Sequence, residues 1–192
     1  MAIDYLGRIR SFLAALPETI DAFLVVTGDP WGSEYLPDHW ALRAHLTGFT
    51  GSAGTLLLRR AAPHVLWTDS RYTLAATERC RALGLVLCEE HRALDRELPD
   101  KVRGLAVGFD PETLSEAEVR RLEAAFEEVG ARLIALPDAL RTGWSDERPA
   151  EVAAPLFRID PPEASGLRLA RLRETMEEGE STLMGPEETA WF

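Results

Sequence analysis

SEYLPDHWALRAHLTGFTGSAGT, residues Ser33–Thr55, is followed a short way along the chain by LWTDSRY, residues Leu66–Tyr72. Both stretches are dense in glycine, tryptophan, aspartate and arginine. Neither shows a nucleophile beside a base, and neither carries the roughly four converging ligands that a tetrahedral zinc site needs. We therefore expect them to position other groups rather than to form an active site by themselves.

Predicted strands and helices alternate on both sides of these stretches. Apolar runs bounded by turn residues predict strands at 21–28, 54–60, 64–69, 83–89, 105–110 and 131–137. Helical spacing and helix-start residues predict helices after Asp4, from Pro37 through Leu46, across 71–83, and from the capping box of Ser115 and Glu118 to Gly130. The sequence therefore predicts an α/β fold with a mixed sheet.

A change of composition marks the end of this alternation. Residues 146–162 read DERPAEVAAPLFRIDPP and contain four prolines, which indicates a linker. The predicted organisation is a domain at 1–145, a proline-rich linker at 146–162 and a second unit at 163–192. In that unit the sequence predicts one helix over 164–179, a short strand at STLM and the beginning of a helix at PEETAWF. Because so few elements cannot bury a core, we expect 163–192 to be the truncated start of a second, similar domain.

Charge and cysteine content exclude several classes of protein. The 192 residues carry a formal net charge of −11, which disfavours nucleic acid as a partner because its phosphates would repel such a surface. Cys80 and Cys88 are too few for a secreted disulfide scaffold. The sequence shows neither a signal-type apolar region nor a membrane-spanning run. We therefore expect a cytoplasmic protein that binds no membrane.

The glycine-rich piece GFTGSAGT, Gly48–Thr55, has two interpretations. A phosphate-binding loop would need a lysine and the P-loop spacing, so a tight turn between a helix and a strand is favoured. His39 and His45 are six residues apart and would lie on different faces of a helix, so we expect no shared metal. Ser52 does not lie in a nucleophile elbow. No catalytic set is predicted from these residues.

The segment WTDSRY carries the most informative polar pair. Asp69 and Arg71 follow a predicted strand, at the edge where α/β folds present functional groups. A partly buried arginine held by a carboxylate is oriented to bind a peptide carbonyl or carboxylate. The alternative is a structural ion pair at the strand–helix corner, with Trp67 and Tyr72 in the core. Both interpretations stay open on the residues alone.

Taken in chain order, these motifs resemble the N-terminal domain of the Xaa-Pro aminopeptidases (aminopeptidase P) in their three-domain form. That family shows a Ser-Glu-Tyr segment, an arginine-containing helix, SGFTGSAGT and WTDGRY, and residues 33–35, Arg43, 48–55 and 67–72 follow the same order. VGFDPETLS, WSDERP and ETAWF resemble later segments of the family. The resemblance implies a creatinase/prolidase-type N-terminal domain, in which a mixed sheet is flanked by helices in a ribonuclease-H-like arrangement.

The resemblance also implies an activity. The family removes an N-terminal residue that precedes proline, using two divalent metals, usually manganese. Its metal ligands and catalytic histidines belong to a C-terminal domain that has no counterpart in these 192 residues, so it assigns no metal ligand and no catalytic residue here. Arg71 occupies the place of an arginine that reaches towards the peptide-binding cleft, with Trp67, Asp69 and Tyr72 as the supporting motif. Ser70 replaces the usual glycine, which alters that turn.

Two functions are therefore expected. In the first, the chain is the non-catalytic N-terminal domain of an Xaa-Pro aminopeptidase, which shapes the peptide-binding cleft, contributes Arg71 and supports a homodimer. In the second, it is a free-standing truncated homologue that binds a proline-containing peptide or a full-length peptidase as a regulatory protein. Both predict no hydrolysis by this chain alone. An unrelated catalytic function is disfavoured because no nucleophile–base pair is apparent.

Overall fold

The computed structural model describes residues 3–89, 94–144, 148–151 and 165–176. The chain divides into two compact units, 1–151 and 152–192. In the described part of the first unit, strands form inside each of the segments where the sequence predicts one. They are β1 Ala22–Val25, β2 Thr55–Arg59, β3 Val65–Thr68, β4 Val86–Glu89, β5 Ala106–Phe109 and β6 Arg132–Ala135.

The strands form a single mixed sheet in the order β4-β3-β2-β1-β5-β6. β2 is antiparallel to both of its neighbours, β1 and β3, whereas β3 with β4, β1 with β5, and β5 with β6 pair in parallel. Five strands therefore run in one direction and β2 in the other. As a result, β2 begins at the edge of the sheet where β1 and β3 end.

Alternating residues of the sheet pack on opposite faces, as the two-residue period of a strand requires. Phe23 of β1 packs with Phe12 and Leu46 in one buried cluster. Its neighbour Leu24 packs with Phe126 in a second cluster. Helices therefore cover both faces, and the predicted α/β fold with a mixed sheet flanked by helices is confirmed.

The helices lie close to the positions that capping residues indicate. Asp4 accepts a hydrogen bond from the Gly7 N–H at 2.8 Å, and Ser115 and Glu118 form the predicted capping box. The α-helices of the described residues are α1 Tyr5–Ala15, α2 Leu42–Thr47, α3 Thr73–Leu83, α4 Leu94–Glu97, α5 Pro99–Val102, α6 Glu116–Glu127, α7 Ala139–Gly143 and α8 Ser165–Glu174, and short 3-10 helices form at Asp38–Trp40 and Pro111–Thr113.

The single helix predicted from Pro37 through Leu46 is wrong. The chain forms a short 3-10 helix, Asp38–Trp40, and then breaks at Ala41, whose ψ of 47° is not helical, before α2 begins. Trp40 and Leu42 are both buried in the same cluster. Residues two apart point to nearly opposite sides of a continuous helix, so the break at Ala41 lets both side chains reach one core.

The sequence did not predict α4, α5 or α7. Each has only four or five residues, which is too short a window for a helical period to show. Burial explains why α5 and α7 form, since Val102 of α5 and Leu140 of α7 are almost completely buried. Tertiary packing rather than local periodicity therefore produces these two turns.

In the second unit, α8 lies inside the helix predicted for 164–179. The predicted strand at STLM and helix start at PEETAWF lie outside the described residues, as does most of the predicted linker at 146–162. No helix in the described ranges combines the length and the apolar content needed to cross a bilayer.

Candidate functional site

The polar residues singled out in the sequence meet at the edge of the sheet where β1 and β3 end and β2 begins. The loop Gly48–Gly54 joins α2 to β2 there, and the turn Asp69–Tyr72 joins β3 to α3. Thr68, the last residue of β3, donates from its hydroxyl to the carbonyl of Ala53 at 2.9 Å. This bond joins the end of β3 to the loop, so the two motifs form one surface.

Arg43 lies beneath the loop and is 6% exposed. Its Nη1 donates to the Thr27 hydroxyl and to the Gly54 carbonyl, both at 2.5 Å, and its Nη2 donates to the Gly51 carbonyl. Burial lowers the pKa of Arg43 to about 10, because removing the guanidinium from water disfavours its charged form. The arginine still donates to all three oxygens, and it connects α2, the segment that follows β1, and the loop.

The close approach of Arg43 explains the glycine at position 54. A Cβ at Gly54 would lie 2.7 Å from Arg43 Nη1 and 2.9 Å from the Trp67 carbonyl oxygen. Trp67 is fully buried in the core below this point. A side chain at position 54 would therefore separate the loop from both the arginine and β3. This supports the interpretation of GFTGSAGT as a turn that needs close backbone contact.

Arg71 and Asp69 form an ion pair with three side-chain hydrogen bonds. Arg71 Nη2 donates to Asp69 Oδ2 at 2.6 Å, and Arg71 Nε donates to Asp69 Oδ1 at 3.1 Å. The backbone N–H of Arg71 also donates to Asp69 Oδ1 at 2.9 Å. The side-chain hydrogen bonds from Arg71 hold the pKa of Asp69 below its usual value and raise the pKa of Arg71.

The expectation that Arg71 is partly buried is wrong. Its side chain is 69% exposed, and that of Asp69 is 30% exposed. The reason is its position in the turn beyond β3, where the chain has already left the sheet. Within the described part of the chain, Arg71 Nη1 has no hydrogen-bond partner, since Nε and Nη2 make all of its side-chain bonds. Asp69 therefore orients the guanidinium, while Nη1 can still donate a hydrogen bond to a ligand.

Tyr72 connects the turn to the glycine-rich loop. Its hydroxyl lies 2.8 Å from Ser52 Oγ, and its half-buried ring packs edge-on against Phe49. Arg71 Cζ lies 5.3 Å from the centroid of the Tyr72 ring. Hydrogen bonds from the Ser52 side chain and backbone, with the charge of Arg71, lower the pKa of Tyr72. The supporting motif is therefore split, with Trp67 in the core and Tyr72 at the surface.

Two cavities flank this part of the loop. One of about 260 Å³ is lined by Arg43, Thr50, Gly51 and Ser52, with Glu34 and Tyr35 opposite. The other, of about 310 Å³, lies between Gly48–Gly51 and the side chains of Tyr72 and Arg79. Gly51 borders both. A ligand in either cavity would therefore contact the loop that Arg43 holds.

The histidines do not come together in the described structure. His39 Nδ1 lies 2.7 Å from the Pro149 carbonyl oxygen, and His45 stacks on Trp144 with ring centroids 4.2 Å apart. His64 Nδ1 accepts the Arg59 N–H at 3.2 Å, and His91 lies outside the described residues. In the ranges that the structure describes, no group of three or more His, Cys, Asp or Glu residues could hold a metal ion. These residues do not fit a metal centre.

Sequence reasoning placed Arg43 only within a motif and assigned it no contact. One signal was available: Arg43 and Leu46 are three residues apart, so they lie on one side of α2, and Leu46 is part of the core. An arginine directed towards a core next to a glycine-rich loop has backbone carbonyls as its nearest acceptors. Which carbonyls it meets depends on the sheet order, which the sequence did not reveal.

Comparison with known proteins gives a consistent result. Residues 6–142 match the family model described as the Creatinase/Prolidase N-terminal domain. Aminopeptidase P1 of Lotus japonicus is 31% identical over 152 residues, which cover 78% of this chain and 23% of that protein. Xaa-Pro aminopeptidase 2 of Rattus norvegicus is 30% identical over 201 residues, which cover 94% of this chain and 29% of that protein. The chain thus spans about a quarter of the length of these curated relatives.

Solved structures share the fold. The X-prolyl aminopeptidase of Caenorhabditis elegans, described as a cytosolic enzyme with a dinuclear active site, superposes with a TM-score of 0.76 at 21% identity, covering 90% of this chain and 31% of that one. The Xaa-Pro aminopeptidase structure from Streptococcus thermophilus gives a TM-score of 0.53 at 27% identity, covering 73% of this chain and 98% of that one. The similarity therefore extends over the sheet and the helices that surround it.

Proposed function

The chain belongs to the family of creatinase/prolidase N-terminal domains, and from that premise we propose that it is the non-catalytic, peptide-positioning domain of an Xaa-Pro aminopeptidase-type metallopeptidase. In this role it forms one wall of the peptide-binding cleft. The catalytic groups would be supplied by another part of the enzyme. The names of the relatives at about 30% identity support this enzyme class.

The observation that carries the proposal is the state of the Arg71 guanidinium. It is exposed, it is oriented by the Asp69 carboxylate, and its Nη1 makes no hydrogen bond within the described residues. An arginine whose torsions are already restrained loses less entropy when it binds an acceptor. This arrangement suits a donor that is held ready for a carbonyl or carboxylate oxygen of a peptide.

In the proposed mechanism, Arg71 orients the peptide. Nη1 donates to a peptide oxygen while Nε and Nη2 stay on Asp69, so the guanidinium does not have to exchange one partner for another. A substrate held at such a point meets the reacting groups in a restricted set of orientations, which is how positioning contributes to rate and selectivity. Trp67 supports the arrangement by filling the core under β3, and Tyr72 by packing beneath Arg71.

The two divalent metals that the family resemblance implies do not fit the described residues of this chain. No suitable group of ligands occurs in 3–89, 94–144, 148–151 or 165–176. The proposal therefore routes no step through a metal in this domain. Dimer contacts and a cytoplasmic location are further parts of the proposal, and the latter agrees with the description of the nematode neighbour as cytosolic.

The test is peptide binding by the chain as it stands. The Arg71 Nε–H and Asp69 backbone N–H resonances of the ¹⁵N-labelled protein are followed by NMR while the tripeptide Gly-Pro-Ala is added to millimolar concentration. We expect saturable shifts of both signals in the wild type, and the shifts of the Asp69 N–H should disappear in Arg71→Ala. They should persist in the matched control Arg120→Ala, which removes an exposed arginine paired with Glu116 on α6. Equal responses of the wild type and Arg71→Ala would overturn the assignment of Arg71.

A second measurement addresses the absence of catalysis. The same peptide is incubated with the protein and Mn²⁺, and release of the N-terminal glycine is measured. We expect no release above that of a heat-denatured sample. If the rate of glycine release stays proportional to the protein concentration after repeated purification, the non-catalytic role is overturned.

A further inference from the structure

Arg43 is a buried cation that the proposed function does not use. Its guanidinium donates to three neutral oxygens, and none of the ion pairs found in the described residues includes it. Burying a cation without an anion has a high free-energy cost that neutral acceptors offset only in part. A site that served packing alone would be better filled by an apolar side chain, so the contacts that Arg43 makes need their own explanation.

The three acceptors are not equivalent in the loop. Thr27 also donates to the Gly54 carbonyl, and Thr68 donates to the Ala53 carbonyl, so the end of the loop has other anchors. At Gly51, Arg43 Nη2 is the hydrogen-bond donor that fixes the carbonyl. Ser52 is the next residue. Arg43 therefore sets the orientation of the peptide unit that leads into Ser52.

Ser52 connects the loop at Gly51 to the turn that contains Arg71. Its hydroxyl meets the Tyr72 hydroxyl at 2.8 Å, and Arg71 Cζ lies over the Tyr72 ring. The path from the buried arginine to the exposed one thus consists of the Gly51 carbonyl, Ser52 and Tyr72. Each link in it is a direct contact between neighbours.

We propose that Arg43 is the positioning residue of this surface: by holding the Gly51 carbonyl it places Ser52 against the Tyr72 hydroxyl, and so fixes the ring on which Arg71 rests. The inference rests on the proposed function for its biological meaning, because the placement of Arg71 matters to a peptide only if Arg71 binds it. The placement itself can be measured without any peptide.

The titration of Tyr72 distinguishes a positioning role of Arg43 from a merely structural one, because a merely structural role would leave the pKa of Tyr72 unchanged. The pKa of Tyr72 lies below the ordinary value of 10.0 chiefly because Ser52 donates hydrogen bonds to its oxygen. If Ser52 moves away, the phenolate loses those donors and the pKa rises towards 10.0. The ¹³Cζ signals of the three tyrosines resolve each titration, and Tyr72→Phe assigns the signal.

The central variant is Arg43→Lys, because a lysine keeps the charge but its single nitrogen cannot take the places of both Nη1, which holds Thr27 and Gly54, and Nη2, which holds Gly51. We expect a raised Tyr72 pKa and a several-fold weaker peptide response at Arg71. The matched control is Arg60→Lys. Arg60 also bridges backbone carbonyls, those of Leu16 and Ile20 at 2.9 and 2.7 Å, but in a different loop. We expect this control to leave the Tyr72 titration unchanged.

Two milder variants keep the test decisive if Arg43→Lys does not fold. Ser52→Ala removes the side-chain donor, leaves the backbone N–H in place, and should raise the Tyr72 pKa. Thr27→Val removes one acceptor of Arg43 and should raise it by a smaller amount. The inference is overturned if a folded Arg43→Lys, or Thr27→Val in its absence, leaves the Tyr72 titration at the wild-type value. It is equally overturned if Arg60→Lys shifts the titration as much as Arg43→Lys does.

The result also separates this inference from the proposed function. If Arg71→Ala abolishes the peptide response while Arg43→Lys leaves both Tyr72 and the peptide response unchanged, only the positioning role fails. If the wild type shows no Arg71-dependent peptide response, the proposed function fails, and a raised Tyr72 pKa in Arg43→Lys still supports the positioning of the loop.

Discussion

The hydroxyl groups of Ser52 and Tyr72 lie 2.8 Å apart, although the two residues belong to different motifs of the sequence. Ser52 lies in the glycine-rich loop before β2, and Tyr72 lies in the turn before α3. Their contact joins the two conspicuous stretches of the chain into one surface. It also places the exposed Arg71 next to a loop that the buried Arg43 holds from below.

Replacing Arg71 by alanine should leave the thermal unfolding midpoint of the chain close to that of the wild type. Arg71 is 69% exposed in its pair with Asp69, and pairs with an exposed partner contribute little to stability because water and salt screen them. Differential scanning calorimetry measures the midpoint. A large decrease would support the alternative in which the pair is a structural element of the strand–helix corner.

Replacing Gly54 by alanine should destabilise the domain by about 2 kcal/mol or more, because the added methyl group overpacks a filled site. It would lie within 3 Å of the Trp67 carbonyl oxygen and of Arg43 Nη1. Gly84→Ala is the control. Gly84 has a φ of +65° but no atom within 4 Å of an added Cβ, so it should cost only the conformational strain of about 1–2 kcal/mol.

Urea titrations followed by tryptophan fluorescence give both free energies of unfolding. If Gly54→Ala is no more destabilising than Gly84→Ala, the close approach of the loop to Arg43 and β3 is not needed for folding.

Replacing Phe126 by alanine should cost about 3–5 kcal/mol, the range for removing a large buried side chain and leaving a cavity. Phe126 is fully buried between α6 and the sheet. Leu74 on α3 is 81% exposed, so Leu74→Ala should change the free energy of unfolding by less than about 0.5 kcal/mol. Chemical denaturation compares the two. Similar losses for both would contradict the placement of α6 on the core.

The stability of the chain should fall as the pH falls below 6.5 through the titration of His64. Burial, followed by the charge of Arg59, lowers the pKa of His64 below its usual 6.5. A group whose folded pKa is lowered binds its proton more readily in the unfolded chain. Its contribution to stability is therefore complete above pH 6.5 and is lost as the pH falls to the folded pKa.

His64→Asn provides the comparison for this effect. The asparagine oxygen can accept the Arg59 N–H in place of Nδ1, and the amide does not titrate. We expect the free energy of unfolding to depend less on pH in the variant between pH 6.5 and the folded pKa, which NMR titration of His64 measures. An unchanged pH dependence would show that other groups cause it.

Residues close together in the chain explain why much of the fold was predictable. Asp4 caps α1 through the Gly7 N–H, and the Ser115–Glu118 box starts α6. Such signals act over three or four residues and need no tertiary contact. The apolar runs that form the strands are also local signals, since each can be recognised from consecutive residues. The resemblance to the Xaa-Pro aminopeptidases likewise came from short motifs read in order.

The break at Ala41 and the exposure of Arg71 were not predictable in this way. Local helix signals favour one helix from Pro37, and only the common core of Trp40 and Leu42 shows why the chain breaks between them. One interpretation of the Asp69–Arg71 pair took Arg71 to be a partly buried arginine held by a carboxylate. Whether a residue after a strand is covered depends on which other segments pack over that edge.

The sequence by itself therefore determined the α/β class, the positions of the strands and the family, because these depend on neighbouring residues and on motif order. Only the tertiary structure decided that Arg43 bridges Thr27, Gly51 and Gly54, and that Ser52 meets Tyr72. The physical reason is that these contacts require β2 to run antiparallel between β1 and β3. That sheet order is set by the packing of both cores together, and no local stretch of the chain encodes it.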